Sequence, residues 1–294
     1  MKSLIVIISN PAARKSSARK IESAAALLTK KGFSSEVFLT EKRGDAEHLA
    51  RKAKEKKAFL IIAAGGDGTI NEVLNGLVWS EIPLAVLPLG TTNVLAKELA
   101  IPEHIDGAVE TALSKTPKKV CLGKITLSES VSRVSRYFSL MAGIGFDGKA
   151  VRDVNKSLKK ISGKAAYVMS GLKNFVVYSP NKLTLNTDGR NYAGYCAIVG
   201  NARKYGGHFS VTPDSSVLDP RLHMCIFEGK KRADLLRYVF GVMKGTHLKN
   251  DDVIYVASEH IEIKGRAYIQ VDGDYFGTTP AEISIAKDAI RIVF

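Results

Sequence analysis

Ile61-Ile62-Ala63-Ala64-Gly65-Gly66-Asp67-Gly68-Thr69-Ile70-Asn71-Glu72 decides the fold of this chain. The run Ala58–Ala64 is apolar without alternation, the habit of a strand buried on both faces of a parallel sheet. Glycines follow it, and then a helical pattern over Thr69–Val78. Lacking Cβ atoms, Gly65, Gly66 and Gly68 let a phosphate come close to the backbone. Free N–H groups at the start of the next helix attract its negative charge. Open α/β sheets bind their ligands at the carboxyl ends of the strands, where Asp67 stands. A carboxylate beside phosphates has the task of holding Mg²⁺, directly or through water. Thr69 can donate its hydroxyl to a phosphate oxygen. The competing reading is an ordinary glycine turn.

Outward from this segment, strands and helices alternate. Leu4–Ile8 reads as a strand ending in Ser9-Asn10-Pro11, where Pro11 opposes helical continuation. Ser17–Lys31 carries Ile21, Ala24, Ala25 and Leu28 on one helical face, with Gly32 just past its end. A strand at Glu36–Leu39 and a charged helix at Asp45–Lys56 follow. Beyond the glycine segment, the strand Leu84–Leu87 leads through Pro88 into Gly90-Thr91-Thr92-Asn93 and a helix to Leu99, repeating the phosphate-loop arrangement. Asn10-Pro11 and Thr40 offer two further polar loops, or else plain surface turns. This alternation indicates a parallel α/β sheet.

Past residue 120 the texture changes. Lys118–Leu127 and Arg136–Ala142 read as strands, and two basic helices occupy 149–177. Lys182–Thr187 and Tyr192–Gly200 flank Asp188-Gly189, a hairpin signal. Arg221–Phe227 reads as a strand and 253–294 as alternating strands with tight turns. Lys231–Lys244, with Leu235, Leu236, Val239, Phe240 and Met243, reads as a core helix. A mostly antiparallel β half after a parallel α/β half predicts two domains, 1–120 and 121–294, packed directly to form a cleft.

The chain of 294 residues, 45% hydrophobic and 24% charged, has globular composition. No apolar run is long enough to cross a bilayer, and Leu4–Ile8 is too short for a signal-peptide core. Cys121, Cys196 and Cys225 form neither a disulfide framework nor a zinc spacing. A soluble, cytoplasmic protein is expected. The net charge of +14 draws the protein towards polyanions, either nucleic acid or an anionic membrane face. A solvated basic surface without a partner is the alternative. Along 149–164, Lys149, Arg152, Lys156, Lys159, Lys160 and Lys164 oppose Val151, Val154, Leu158 and Ile161. Such a helix can lie peripherally on an anionic membrane, each basic residue adding about 1 kcal/mol, or can pack its stripe in the core. Aromatic residues, which a nucleic-acid surface interleaves with its cations, are missing there, so no nucleic-acid partner is expected. Oligomeric state leaves no signature. The histidines lack metal-ligand spacing. Gly143-x-Gly145-x-x-Gly148 matches a dinucleotide fingerprint, yet no acid occurs between Val154 and Thr187 to bind a ribose, so it reads as a tight turn. Walker A and protein-kinase signatures are absent from the sequence.

GGDGTINEVLNGL (65–77) and PLGTTNVLAKEL (88–99) closely resemble the catalytic domain of the superfamily of diacylglycerol kinases, sphingosine kinases and bacterial lipid kinases. GIGFDGKAV (143–151), PDSSVLDPRL (213–222) and VDGD (271–274) resemble its carboxyl-terminal domain, in order. NAD kinases and phosphofructokinases share the GGDG element alone. The resemblance implies a Rossmann-like, phosphofructokinase/NAD kinase-like first domain and a second domain that is a β-sandwich. It implies ATP held at Asn10, Pro11, Thr40, Gly65, Gly66, Asp67, Gly68, Thr69, Asn71, Glu72, Gly90, Thr91, Thr92 and Asn93, and a lipid entering between the domains. A structural Mg²⁺ site is implied at Ser216, Asp219 and Arg221, largely through backbone carbonyls plus the aspartate. Asp272 and Asp274 match the family's general base, with the choice between them open. Transfer to a lipid hydroxyl needs such a proton acceptor and a metal to spread charge, although Asp272-Gly273-Asp274 by itself reads as a hairpin turn. Two positions depart from many bacterial relatives, Val94 and Cys121 standing where those carry aspartate. The expected activity is ATP-dependent phosphorylation of a diacylglycerol-like or long-chain-base-like lipid. An NAD kinase-like enzyme and a catalytically impaired nucleotide- or lipid-binding regulator are the alternatives.

Overall fold

In the computed structural model, residues 3–11, 17–128, 133–157 and 179–294 are described. They form two compact units, Met1–Leu122 with Lys287–Phe294, and Gly123–Ala286.

The first unit is built on four parallel strands: β1 (Leu4–Ser9), β2 (Ser34–Leu39), β3 (Leu60–Gly65) and β4 (Leu84–Pro88). Their spatial order is β2-β1-β3-β4. The chain steps from β1 outward to β2, then crosses to the other side of β1 for β3. The order therefore reverses at the β1/β3 junction, where doubly wound sheets bind ligands outside the strand ends. Ile5–Ile8 and Leu60–Ala64 are buried throughout, as expected of strands covered on both faces.

The helices are α1 (Ser17–Lys30), α2 (Asp45–Glu55), α3 (Asp67–Leu77), the short α4 (Val94–Glu98) and α5 (Ile105–Ser114). Helix α1 packs with α5, and α2 with α3. A Cβ on Gly76 would lie 2.5 Å from the Glu47 carbonyl oxygen, so glycine sets the close approach of α2 and α3. Helix α5 was not legible in the sequence. Its buried face consists of Ala108, Val109 and Ala112, too small to stand out as a stripe.

The second unit holds β6 (Ser135–Phe138), β7 (Met141–Ile144), α6 (Phe146–Ser157), β8 (Leu183–Thr187), β9 (Arg190–Gly194) and β10 (Cys196–Gly200). It continues with β11 (Lys204–Tyr205), β12 (Phe209–Ser210), β13 (Leu222–Phe227), α7 (Arg232–Lys244), β14 (Val253–Ser258), β15 (His260–Lys264), β16 (Tyr268–Val271) and β17 (Asp274–Thr278). Strands β14-β13-β10-β7-β16-β17 make an antiparallel sheet of six strands. A second antiparallel layer includes β15, β8 and β9. Between the layers Phe138, Ile144, Leu185, Val199, Met224, Ile263, Val271 and Ile283 form one buried cluster, the interior of a β-sandwich. A Cβ on Gly123 would lie 2.0 Å from the Phe138 ring, so that ring fills the space a side chain would need.

Two strands serve both units. β5 (Pro117–Leu127) runs out of the first unit, and β18 (Ala281–Val293) returns to it. The first half of β18 pairs with β15, and Ile292 later pairs with Leu84 of β4. Residues 287–294 group with the first unit because the strand continues into that pairing.

Three sequence expectations change. Arg136–Ala142 is broken into β6 and β7 by a turn at Ser139-Leu140. Of the two basic helices, the first runs Phe146–Ser157, while Lys159, Lys160, Lys164 and the second helix lie outside the described residues, as does the side chain of Lys156. The helix expected in the core over 231–244 buries only Leu235, Tyr238 and Gly241. Among the described residues no helix is long and apolar enough to cross a membrane.

Candidate active site

Strand β3 delivers Gly65 and Gly66 to the start of α3, which begins at Gly66 without a side-chain cap. The same happens beyond β4. Its terminal loop folds onto the first, because the Gly65 carbonyl accepts both the Leu89 N–H (3.0 Å) and the Gly90 N–H (3.2 Å). A Cβ on Gly90 would lie 2.4 Å from Gly66 Cα, so the two glycine backbones touch. A Cβ on Gly65 would lie 2.7 Å from that of Thr69, which leans back over the loop. Gly68 is exposed, with open space where its Cβ would be. The result is a glycine-lined surface at a helix start, the form that takes phosphate.

Asn93 locks the second loop. Its backbone is left-handed (φ 50°), and its Nδ2 donates to the carbonyls of Pro88 (3.3 Å) and Gly90 (3.1 Å). Among the described residues no donor reaches its buried Oδ1, nor does the buried Oγ of Ser9 at the end of β1 find a partner. These orphaned oxygens, at the end of β1 and beyond β4 on either side of β3, fit a polar ligand at the strand ends. Thr40 is buried and donates its N–H to the Ser9 carbonyl (2.9 Å), while Asn10 is half-buried and Pro11 exposed. Thr91 is exposed and Thr92 half-buried.

Asp67 stands where the two loops meet. Its Oδ1 accepts the Leu95 N–H at 3.4 Å, at the start of α4. Burial pushes its carboxyl above the ordinary range, and the backbone N–H groups of Leu95, Val94, Asp67 itself and Asn93 oppose that shift. The charged form is thus under-compensated by the protein, the state of a carboxylate suited to a cation. Val94 and Cys121 are both buried, so apolar side chains occupy the two positions of departure. Among the described residues no cluster of three acidic, histidine or cysteine side chains could hold a metal by itself. A lone carboxylate nonetheless suits Mg²⁺, which takes one or two carboxylates and completes its shell with phosphate and water.

Asn71 and Glu72 follow in α3. Asn71 is buried within α3, where its carbonyl accepts the Asn75 side-chain amide at 2.9 Å. Both Glu72 oxygens are engaged, Oε1 by the Gly44 N–H (2.9 Å) and Oε2 by the Ala46 N–H (3.2 Å). Glu72 therefore caps α2 and fixes the loop after Thr40, rather than presenting its carboxylate to a nucleotide.

In the second unit, Asp272 (φ 47°) turns the β16–β17 hairpin. Its Oδ2 accepts the Ser139 N–H (2.9 Å) and hydroxyl (3.2 Å), and its Oδ1 accepts the N–H groups of Leu140 (3.0 Å) and Met141 (2.9 Å). Four donors fill the carboxylate's acceptor positions. Asp274 is half-buried at the start of β17.

The sequence did not reveal the support of this turn. Gln270 accepts the Gly273 N–H (2.7 Å) and donates to Asp147 Oδ2 (2.7 Å), whose Oδ1 accepts the Tyr205 hydroxyl (2.6 Å). Burial raises the Asp147 carboxyl, against the hydrogen bonds of Tyr205 and Gln270. These residues lie far apart in sequence and meet only through the sheet. The Gly143–Gly148 motif is a packing device: a Cβ on Gly148 would lie 2.3 Å from the Tyr268 carbonyl oxygen, so glycine seats α6 on β16.

Ser216, Asp219 and Arg221 form a closed turn. The Ser216 carbonyl accepts the Asp219 N–H (2.9 Å), and Arg221 forks onto both Asp219 oxygens, 3.2 Å each. The guanidinium holds the Asp219 carboxyl below its usual range. Its carboxylate is thus paired with a cation of the chain's own.

Comparison with known proteins follows the same division. A family model described as the diacylglycerol kinase catalytic domain matches residues 3–125, and one described as the YegS C-terminal NAD kinase beta sandwich-like domain matches 141–294. The diacylglycerol kinase of Bacillus subtilis (strain 168) is 30% identical over 269 residues, 89% of this chain and 86% of its own. That of Staphylococcus aureus (strain MRSA252) is 32% identical over 284 residues, 94% of this chain and 87% of its own. Among solved structures, a diacylglycerol kinase from Bacillus anthracis str. Sterne aligns with a TM-score of 0.71 and 20% identity, covering 100% of this chain and 97% of its own. Yeast NADH kinase complexed with NADH aligns with a TM-score of 0.54 and 13% identity, covering 100% and 84%. At these identities the structural likenesses carry the fold.

Proposed function

The chain belongs to the diacylglycerol kinase family, and from that premise we propose that it transfers the γ-phosphoryl group of ATP to a hydroxyl of a membrane lipid. Diacylglycerol is the acceptor class that the relatives' names support, with a long-chain base as the second. The observation that carries the reading is the contact of two glycine loops, with Gly90 against Gly66 and Asp67 at their junction.

Each part has a physical task. The N–H groups at the start of α3 and the bare backbone of Gly65, Gly66 and Gly68 receive phosphate oxygens. Thr69 and Thr92 offer hydroxyls to the same charge, and Asn10, Thr40, Thr91 and Asn93 line the strand ends around it. Asp67 is the carboxylate that would hold Mg²⁺, which when bound spreads the charge developing on the transferred group. Asn71 and Glu72 position the loops from behind.

The acceptor oxygen attacks the γ-phosphorus, its proton passes to a base, and ADP leaves. Of the two candidate carboxylates, Asp272 is saturated by four donors, and the proton is assigned to Asp274, half-buried at the start of β17. Asp272 acts by holding the turn that carries Asp274.

Incubation with ATP and a panel of diacylglycerol, sphingosine and phosphatidylglycerol, with products identified by mass spectrometry, tests the reading. A phosphomonoester of diacylglycerol, lost in Asp67→Asn, is expected. Phosphorylation of NAD with no lipid product would overturn it.

A further inference from the structure

Helix α7 is attached to the protein by one face only. Leu235, Tyr238 and Gly241 are buried, and the Tyr238 ring lies 4.8 Å from that of Phe227. The Tyr238 hydroxyl donates to Asp252 at 2.5 Å and accepts the Gly229 N–H at 2.8 Å. Arg237 pairs with Asp234 and Asp252. Anchoring is complete without the opposite face.

That face carries Leu236, Val239, Phe240 and Met243, exposed at 44, 43, 56 and 55%. Their spacing of three, four and seven residues puts them on a single stripe. β12 packs beside the helix, and its Phe209 is also exposed. A monomer seldom leaves such a stripe open without use.

Charge selects the occupant. Lys231 and Arg232 stand at one end of the helix, and Lys244 and Lys249 at the other. None of the four has an acidic partner among the described residues. The helix's own acid, Asp234, is taken by Arg237 and by the Lys231 N–H (2.9 Å). A second copy of the chain would bring the same basic ends and another +14 charges against the first. An anionic bilayer answers both features, receiving the stripe among its acyl chains and the cations at its headgroups.

We propose that α7 is a membrane-docking helix, lying with Leu236, Val239, Phe240 and Met243 in an anionic bilayer. The docking surface is read from the helix alone. It rests on the lipid-kinase reading only in giving the protein a reason to be at a membrane.

Co-sedimentation of the full chain with vesicles of phosphatidylcholine, or of equal parts phosphatidylcholine and phosphatidylglycerol, tests it. Binding to the anionic vesicles, weakening as salt rises, is expected. Phe240→Asp with Met243→Asp should lower that binding about tenfold or more. Lys231→Glu with Arg232→Glu and Lys244→Glu should lower it at least as far, about fivefold per charge lost. Both sets alter exposed positions, so the unfolding temperature should hold. If the aspartate variant fails to fold, the charge variant decides alone. Asp67→Asn should sediment like the wild type, which separates docking from phosphotransfer. Undiminished binding by the folded variants would overturn the proposal. So would wild-type indifference to anionic vesicles, or a dimer in light scattering that Phe240→Asp dissolves.

Discussion

Asp67 and Asp272 each stand just beyond the end of a strand and precede a glycine, yet the protein treats them in opposite ways. Around Asp272 four donors converge within 3.2 Å, and the carboxylate ties the β16–β17 turn to residues 139–141. Around Asp67 burial outweighs the hydrogen bonds, and the Leu95 N–H reaches it only at 3.4 Å. A satisfied carboxylate contributes structure. An under-satisfied one, set between two glycine loops, is the carboxylate proposed to meet a ligand.

Substitution should separate the two most sharply. Asp67→Asn is expected to lower turnover on the order of 10³-fold, the scale of losing a group that stabilises transition-state charge, with no loss of thermal stability. Asp274→Asn should lower kcat by about 10²-fold or more, as for a general base, again without thermal cost. Asp272→Ala should instead cost about 3 kcal/mol of stability, because three backbone N–H groups lose their acceptor. Calorimetry alongside steady-state kinetics checks all three. If Asp272→Ala unfolds at the wild-type temperature, the assignment of the turn is wrong.

Much of the first region was legible in the sequence. Continuous apolar runs, glycines and a helix start are local features, and they mark Gly65–Thr69 and Gly90–Asn93 as strand-to-helix loops. The sequence shows the same loop arrangement twice, and the geometry adds that Gly90 touches Gly66. Glu72 was misjudged because its partners, Gly44 and Ala46, come from a preceding loop and helix. The second region was scarcely legible. Asp272's partners lie more than 130 residues away, and the Gln270–Asp147–Tyr205 chain exists only once β7, β16 and α6 have packed. The outer face of α7 escaped for a simpler reason: an apolar stripe has the same spacing whether or not another element covers it.

Smaller effects sharpen the contrast. Gly90→Ala should weaken nucleotide binding about tenfold, because the new Cβ meets Gly66 backbone and the loops must part. Titration calorimetry with Mg·ATP measures this. Stability against pH offers a further test. The folded-state pKa of Asp67 lies above its ordinary 3.8, so its favourable contribution is present in acid and lost as pH rises through the raised value. The unfolding temperature of Asp67→Asn should therefore match the wild type in acid and exceed it increasingly above the ordinary carboxylate range. A gap that narrows with rising pH would contradict the desolvation of Asp67. Glu72→Gln should cost least, about 1 kcal/mol for a weakened cap of α2.

Backbone amide NMR during addition of Mg·ATP tests most directly the claim that the first region is reserved for a ligand and the second for structure. Resonances of Gly66–Thr69 and Gly90–Asn93 should move together with one binding constant, while those of Ser139, Leu140 and Met141 stay in place. Large shifts at residues 139–141, with none in the glycine loops, would contradict it.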